Sequence, residues 1–219
     1  FGSFEGVQQT KRELYDYLVA HQGTIFINED NEYLKQMLGG WAERRIGYHR
    51  QAMPDGTHLV GAYNAENIAA AMAVGQYFGV GEREALAAIR AYEPTNHRSQ
   101  KIVTERNTLI VDAYNANPTS MQAAIDAFNL QSSIFNLHSS FTYILGAMRE
   151  LGSYTHLEHQ NIVNMLLERK AEEVYLVGME YRDTTAPYPI FDTVDELMAY
   201  LEAHPITGRT ILIKGSHST

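Results

Sequence analysis

The sequence predicts an α/β protein with a mostly parallel sheet, on two observations. From Thr108 to Lys214, short β-branched apolar runs alternate with stretches of helical periodicity, and strand–helix–strand connections of that kind are right-handed crossovers between parallel strands. At Asp112 to Met121, reading DAYNANPTSM, one such run ends and a helical pattern begins without a break. Asn117 suits the N-cap there and Pro118 the first helical position, where a missing N–H leaves nothing unpaired. In open α/β sheets ligands meet the chain beyond the carboxyl ends of the strands, so Asp112, Tyr114, Asn115 and Asn117 are candidate ligand-facing residues. A well-capped turn with no ligand fits the same residues.

Taken in order, Gln8 to Ala20 reads as an amphipathic helix with Leu14, Tyr17 and Leu18 on one face, closed by Gly23. Thr24 to Asn28 is a short buried strand and Asn31 to Met37 a short helix, which puts Asn28, Glu29 and Asp30 at a second candidate ligand edge. Gly39 to His58 has no clear period; Trp41, Arg44, Arg45 and the Pro54-Asp55-Gly56 turn point to short strands or loops. The Ala-rich stretch after Gly61 is a helix packing through Ile68, Ala71, Met72 and Gly75, and Glu82 to Tyr92 is another with Ala85, Leu86, Ile89 and Tyr92 as its stripe. Glu93 to Gln100 is polar and aperiodic, and a domain boundary is expected there. Beyond it come strand Leu109–Val111, helix Ser120–Leu130, an unpatterned connection Gln131–Ser140, strand Thr142–Leu145 and helix His156–Arg169. Strand Val174–Val177, helix Val194–Ala203 and strand Thr210–Lys214 complete the alternation.

Composition excludes several classes. A net charge of −9 argues against a phosphate-backbone footprint, so no nucleic acid is expected as a partner. With 0 cysteines there is neither a disulfide framework nor a thiolate metal site, and a cytoplasmic location is expected. No apolar run reaches the roughly 20 residues needed to span a bilayer, so no membrane partner is expected. The opening FGSFEGV starts in mid-pattern, as a fragment of a longer protein would. His156 and His159 lie three apart on one predicted helix without a third ligand, which reads as a solvated helix face, and no metal site is assigned. His97 and His138 are isolated, no Ser-His-Asp or Cys-His arrangement supports a hydrolase, and the 14 tyrosines are scattered as packing residues.

DAYNANPTSM occurs with GAYNAENIAAA at Gly61–Ala71, the boundary PTNHRSQ, LGAMRELG at Leu145–Gly152 and ILIKGS at Ile211–Ser216. On these motifs, in this order, the chain resembles the Mur ligase family, its MurF type above the others. The resemblance implies that residues 1–92 are the C-terminal part of a central ATP-binding domain and 93–219 a Rossmann-like C-terminal domain, with the N-terminal domains of the same protein as missing partners. It implies ATP and Mg²⁺ as cofactors, the metal bound mainly by residues outside this chain. It also implies UDP-N-acetylmuramoyl-tripeptide and D-alanyl-D-alanine as substrates, joined through an acyl phosphate in peptidoglycan precursor synthesis. No G-x-x-x-x-G-K-[ST] phosphate loop occurs in the sequence, so catalytic residues are unassigned and the chain alone is expected to be inactive.

By the same resemblance Asn64 and Asn67 lie beside the adenine, although Asn64 also reads as a simple helix cap. Arg98 reaches the phosphates, Asp112 accepts from the ribose hydroxyls, and Tyr114, Asn115 and Asn117 line the nucleotide site. Lys214 and Ser216, with Gly215 between them, and Arg149 face the incoming dipeptide. Two positions depart from the family's wording: His217 stands where an arginine is usual, and Ala147 where Gly-Asp-Met has its acid. A folylpolyglutamate-type or other Mur ligase, or a non-catalytic nucleotide-binding module derived from one, remains as an alternative. The first piece, holding part of a parallel sheet, is expected to expose strand edges and so to be poorly soluble or to take a partner.

Overall fold

The computed structural model describes residues 4–38, 44–59, 61, 63–95, 97–134 and 141–216. The chain divides into two compact units, one of residues 1–57 with 62–92 and the other of residues 58–61 with 93–219.

The first unit contains α1 (Phe4–Ala20), β1 (Ile25–Asn28), α2 (Glu32–Leu38), β2 (Arg45–Tyr48), α3 (Asn64–Tyr77) and α4 (Glu82–Ala91). β1 and β2 pair in parallel, with Ile25 opposite Arg45 and Asn28 opposite Tyr48. Ile25, Ile27 and Leu38 form its small core, with Tyr15, Leu18 and Leu34 against it. The buried face of α1 is therefore Tyr15 with Leu18, not Leu14 and Tyr17, which are exposed; residues three apart share a helix face, and the partly polar Tyr15 hid the true stripe. Asn31 caps α2, its side-chain oxygen accepting from the N–H of Tyr33 at 3.1 Å and of Leu34 at 3.2 Å. α3 buries Ala65, Ile68 and Ala69, whereas Ala71 is exposed. α4 half-buries Ala85, Leu86 and Ile89 and stops at Ala91, leaving Tyr92 exposed beyond its end.

The second unit contains β3 (Gln100–Val103), β4 (Thr108–Asp112), α5 (Pro118–Ile134), β5 (Phe141–Gly146), α6 (Thr155–Glu168), β6 (Glu173–Val177), β7 (Ile190–Phe191), α7 (Val194–Ala203) and β8 (Thr210–Lys214). The sheet order is β3-β4-β8-β5-β6-β7. Only β3 is antiparallel to its neighbour, which makes this the mostly parallel α/β sheet expected from the alternation. α5 and α6 cover one face: Met121, Ile125, Phe128, Ile162, Val163 and Leu166 pack on Ile110, Tyr143, Leu145 and Leu212. α7 lies on the other face, where Leu197 meets Tyr175 and Val177. Burying an aliphatic or aromatic side chain of this size contributes about 1.5–3 kcal/mol, so this cluster holds the helices to the sheet. β8 is central, and its last residue Lys214 stands opposite Asp112 of β4 and Leu145 of β5. β2, β3 and β7 are additions to the expected strands. The unpatterned connection ends α5, which runs on to Ile134; residues 135–140 lie outside the described residues.

Candidate functional site

The site grows from the carboxyl ends of β4, β8 and β5. β4 ends at Asp112 and α5 starts at Pro118, because Asn117 is its N-cap: the Asn117 side chain accepts the N–H of Ser120 at 2.9 Å, while Ser120 Oγ accepts the N–H of Asn117 at 3.1 Å. That reciprocal pair fixes where α5 begins, and so leaves the partly positive helix end at the turn that follows β4. Tyr114, Asn115 and Asn117 are exposed on the turn, and Ala116 is buried beneath it.

Asp112 is half-buried and already engaged at both oxygens. One accepts the N–H of Ser99 at 3.3 Å, and the other lies 2.9 Å from the ammonium of Lys214. A carboxylate has about four acceptor positions, so capacity remains for two hydroxyl donors such as a vicinal diol. The same ammonium donates to the carbonyl oxygens of Asn115 at 2.8 Å and Asp112 at 3.4 Å. Arg98 stacks its guanidinium on the Tyr114 ring, 3.7 Å from the centroid. Stacking uses the face of the guanidinium and leaves its in-plane N–H groups suited to an anion. Arg98 lies between two residues in the left-handed region, His97 at φ 56° and Ser99 at φ 50°, a conformation non-glycine residues adopt only when the surroundings hold it. Here the Ala113 N–H to His97 carbonyl bond at 2.9 Å and the Ser99 bond to Asp112 supply that hold.

At the end of β5, Arg149 pairs with Glu180 at 2.8 Å. Ala147 is fully buried, and a Cβ placed on Gly178 (φ 126°) would lie 2.5 Å from its Cβ. The Met148 N–H donates to His159 Nε2 at 3.0 Å, and His159 Nδ1 lies 2.7 Å from the Thr155 carbonyl. His159 is 0% exposed and meets the Tyr181 ring edge-on at 4.7 Å. Burial pushes its imidazole below the ordinary value, against the Thr155 bond and nearby Glu180, which pull upward. His159 is thus no solvated residue: it opens the buried stripe His159, Ile162, Val163 and Leu166 of α6, a spacing visible in the sequence but masked by pairing it with His156. His156 alone is exposed.

Ser216 ends the described part of this strand edge, and His217 lies outside the described residues. In the first unit, Asn67 donates to the side-chain oxygen of Asn64 at 3.0 Å, with Asn64 buried and Asn67 exposed. Asn64 is the first residue of α3 and not its N-cap, which is Tyr63. The Asn28–Asp30 edge is tied to β2: Asp30 meets His49 Nδ1 and accepts the Arg50 N–H, both at 2.7 Å, which holds the carboxyl of Asp30 low and the imidazole of His49 high.

The partners of these groups were not legible in sequence. Lys214 and Asp112 are separated by 102 residues, and Glu180 carried no motif that marked it as the partner of Arg149. Among the described residues no three His, Cys, Asp or Glu side chains gather as a metal site, and no helix is long and apolar enough to cross a membrane.

Residues 97–217 match the family described as Mur ligase, glutamate ligase domain. A UDP-N-acetylmuramoyl-tripeptide–D-alanyl-D-alanine ligase of Bacillus subtilis is 29% identical over an alignment 198 positions long that covers 81% of this chain and 42% of that protein. A MurF crystal structure from Acinetobacter baumannii superimposes with a TM-score of 0.76 at 20% identity, covering 100% of this chain and 54% of its own. A MurF ligase of Thermotoga maritima in complex with ADP gives 0.68 at 16% identity, covering 90% of this chain and 50% of its own. The chain therefore spans about half the length of the relatives it matches. Since the family match takes in more than half of the 219 residues, the chain belongs to the Mur ligase family.

Proposed function

We propose that the chain is the part of a MurF-type ligase that closes on ATP and on the incoming dipeptide. Residues 1–92 would be the end of the ATP-binding domain and 93–219 the C-terminal domain. The supporting observation is the convergence at the end of β4: a carboxylate with spare acceptor capacity and a capped helix start on the turn that follows Asp112, and a guanidinium from the segment before β3 stacked on that turn. Asp112 would take the ribose hydroxyls and Arg98 the phosphates. Tyr114, Asn115 and Asn117 would line the nucleotide, while Asn64 and Asn67, whose amides both donate and accept, would meet the adenine.

In the reaction this implies, the terminal carboxylate of UDP-N-acetylmuramoyl-tripeptide attacks the γ-phosphorus of ATP, giving an acyl phosphate and ADP. The amine of D-alanyl-D-alanine then attacks the acyl carbon, and the tetrahedral adduct expels phosphate to leave an amide. Mg²⁺ would screen the phosphate charge, held mainly by residues beyond this chain. Arg149 and Ser216, at the ends of β5 and β8, would face the dipeptide, and the reaction would run in the cytoplasm. The dipeptide ligase names of the relatives favour this reading over a folylpolyglutamate-type reaction. The test is phosphate release by the natural protein: the proposal requires dependence on ATP, the UDP-tripeptide and D-alanyl-D-alanine together. Release driven by a folate and glutamate would replace it with the other ligase. No release with any acceptor, from a protein that still binds ATP, would make it a binding module.

A further inference from the structure

We infer that Lys214 is a positioning residue of the nucleotide side, holding the Asp112 carboxylate and the 112–115 turn in place, and not a contact for the incoming dipeptide. The inference deepens the proposed function and rests on it for the identity of the nucleotide. Its structural half stands alone.

The motif around Lys214 invites the opposite reading, since a lysine at a strand end usually offers its charge to a substrate. The geometry here leaves no such charge to offer. The Lys214 side chain is 1% exposed, and an ammonium has three N–H groups. Three oxygens surround it: Asp112 Oδ2 at 2.9 Å, the Asn115 carbonyl at 2.8 Å and the Asp112 carbonyl at 3.4 Å. All three belong to one turn of chain. Lys214 and Asp112 are also direct register partners on adjacent parallel strands, so their side chains leave the sheet on the same face. That is the face of Ile110 and Leu212, under α5.

Two consequences follow for a nucleotide. A carboxylate facing a polyphosphate is repelled by it, and an ammonium within ion-pair distance offsets that charge, so Asp112 can serve as an acceptor without opposing the ligand. The Asn115 bond also ties the exposed part of the turn to the sheet, which fixes where Tyr114 and hence its stacked partner Arg98 stand.

The test compares wild type, Lys214→Met, which keeps the alkyl stem, and Lys214→Arg in the 219-residue chain. In Lys214→Met, hydrogen exchange at the Ala113 and Ser99 amides is expected to speed up by about tenfold or more while the amides of β5 and of the rest of β8 hold their rates. Unchanged exchange at Ala113 and Ser99 would overturn the inference. A uniform rise across the whole sheet would overturn it too, in favour of a general structural role. Titrations then separate the ligands. MgATP affinity is expected to fall by about tenfold in Lys214→Met, the scale of a lost charge-assisted hydrogen bond. The loss is expected to be much smaller when Asp112→Asn is already present, and D-alanyl-D-alanine binding to stay level. Weakened dipeptide binding with MgATP affinity intact would return Lys214 to the dipeptide. If wild type binds neither ligand, the proposed function fails while the exchange data still decide the role of Lys214.

Discussion

Replacing His159 with Phe isolates one buried hydrogen bond at the end of β5. The ring keeps its place against Tyr181, but Met148, itself 1% exposed, loses the acceptor of its N–H. The Thr155 carbonyl is not orphaned, because inside α6 it also accepts a backbone N–H. An unsatisfied buried donor costs about 1–3 kcal/mol, a sizeable part of the roughly 5–15 kcal/mol that holds a domain together. The cost also depends on pH. The folded His159 titrates below its ordinary 6.5, so the unfolded chain binds more protons, and wild type loses stability as pH falls below that value. The loss is at most about 1.4 kcal/mol per pH unit for one group. Phe does not titrate. The neighbouring Glu180, Glu158 and Arg149 are common to both proteins, so the stability gap between them is expected to narrow from pH 7.5 to 5.5. Urea unfolding followed by circular dichroism measures it. A gap equal at both pH values, or one that widens as pH falls, would refute the reasoning.

Two further substitutions probe the same strand ends. Asn117→Ala removes the N-cap of α5 and is expected to cost about 1 kcal/mol, read from urea midpoints, with faster exchange at the Ser120 amide than at amides deeper in α5. Gly178→Ala forces a side chain into a backbone at φ 126° with Ala147 in the way; overpacking of this kind costs about 1–3 kcal/mol before the backbone strain is added, and the melting temperature is expected to fall accordingly.

The parallel core was legible because β4, β5, β6 and β8 are short apolar runs separated by helices of clear period, and burial on both faces imposes that pattern. β3 and β7 were not, since edge strands of 4 and 2 residues need little side-chain patterning. β2, reading RIGY, alternates exposed and half-buried residues, too short a pattern to separate from a loop. The Asn117 cap and the start of α5 followed from local chemistry alone. The site was legible only as a set of residues. Which group engages which depends on strand register, and register brings Asp112 to Lys214 across 102 residues. His159 was misplaced because a polar side chain at the head of a buried stripe is indistinguishable, in sequence, from one on the solvent face until its partners, here the Met148 amide and the Thr155 carbonyl, are known.

The nucleotide assignment itself turns on calorimetric titration of MgATP into the 219-residue chain, beside Asn67→Ala and Asp112→Ala variants that retain the wild-type circular dichroism. Binding in wild type, weakened in both variants, is the predicted result. Affinity left unchanged by both substitutions, or no binding in a folded wild type, would contradict it.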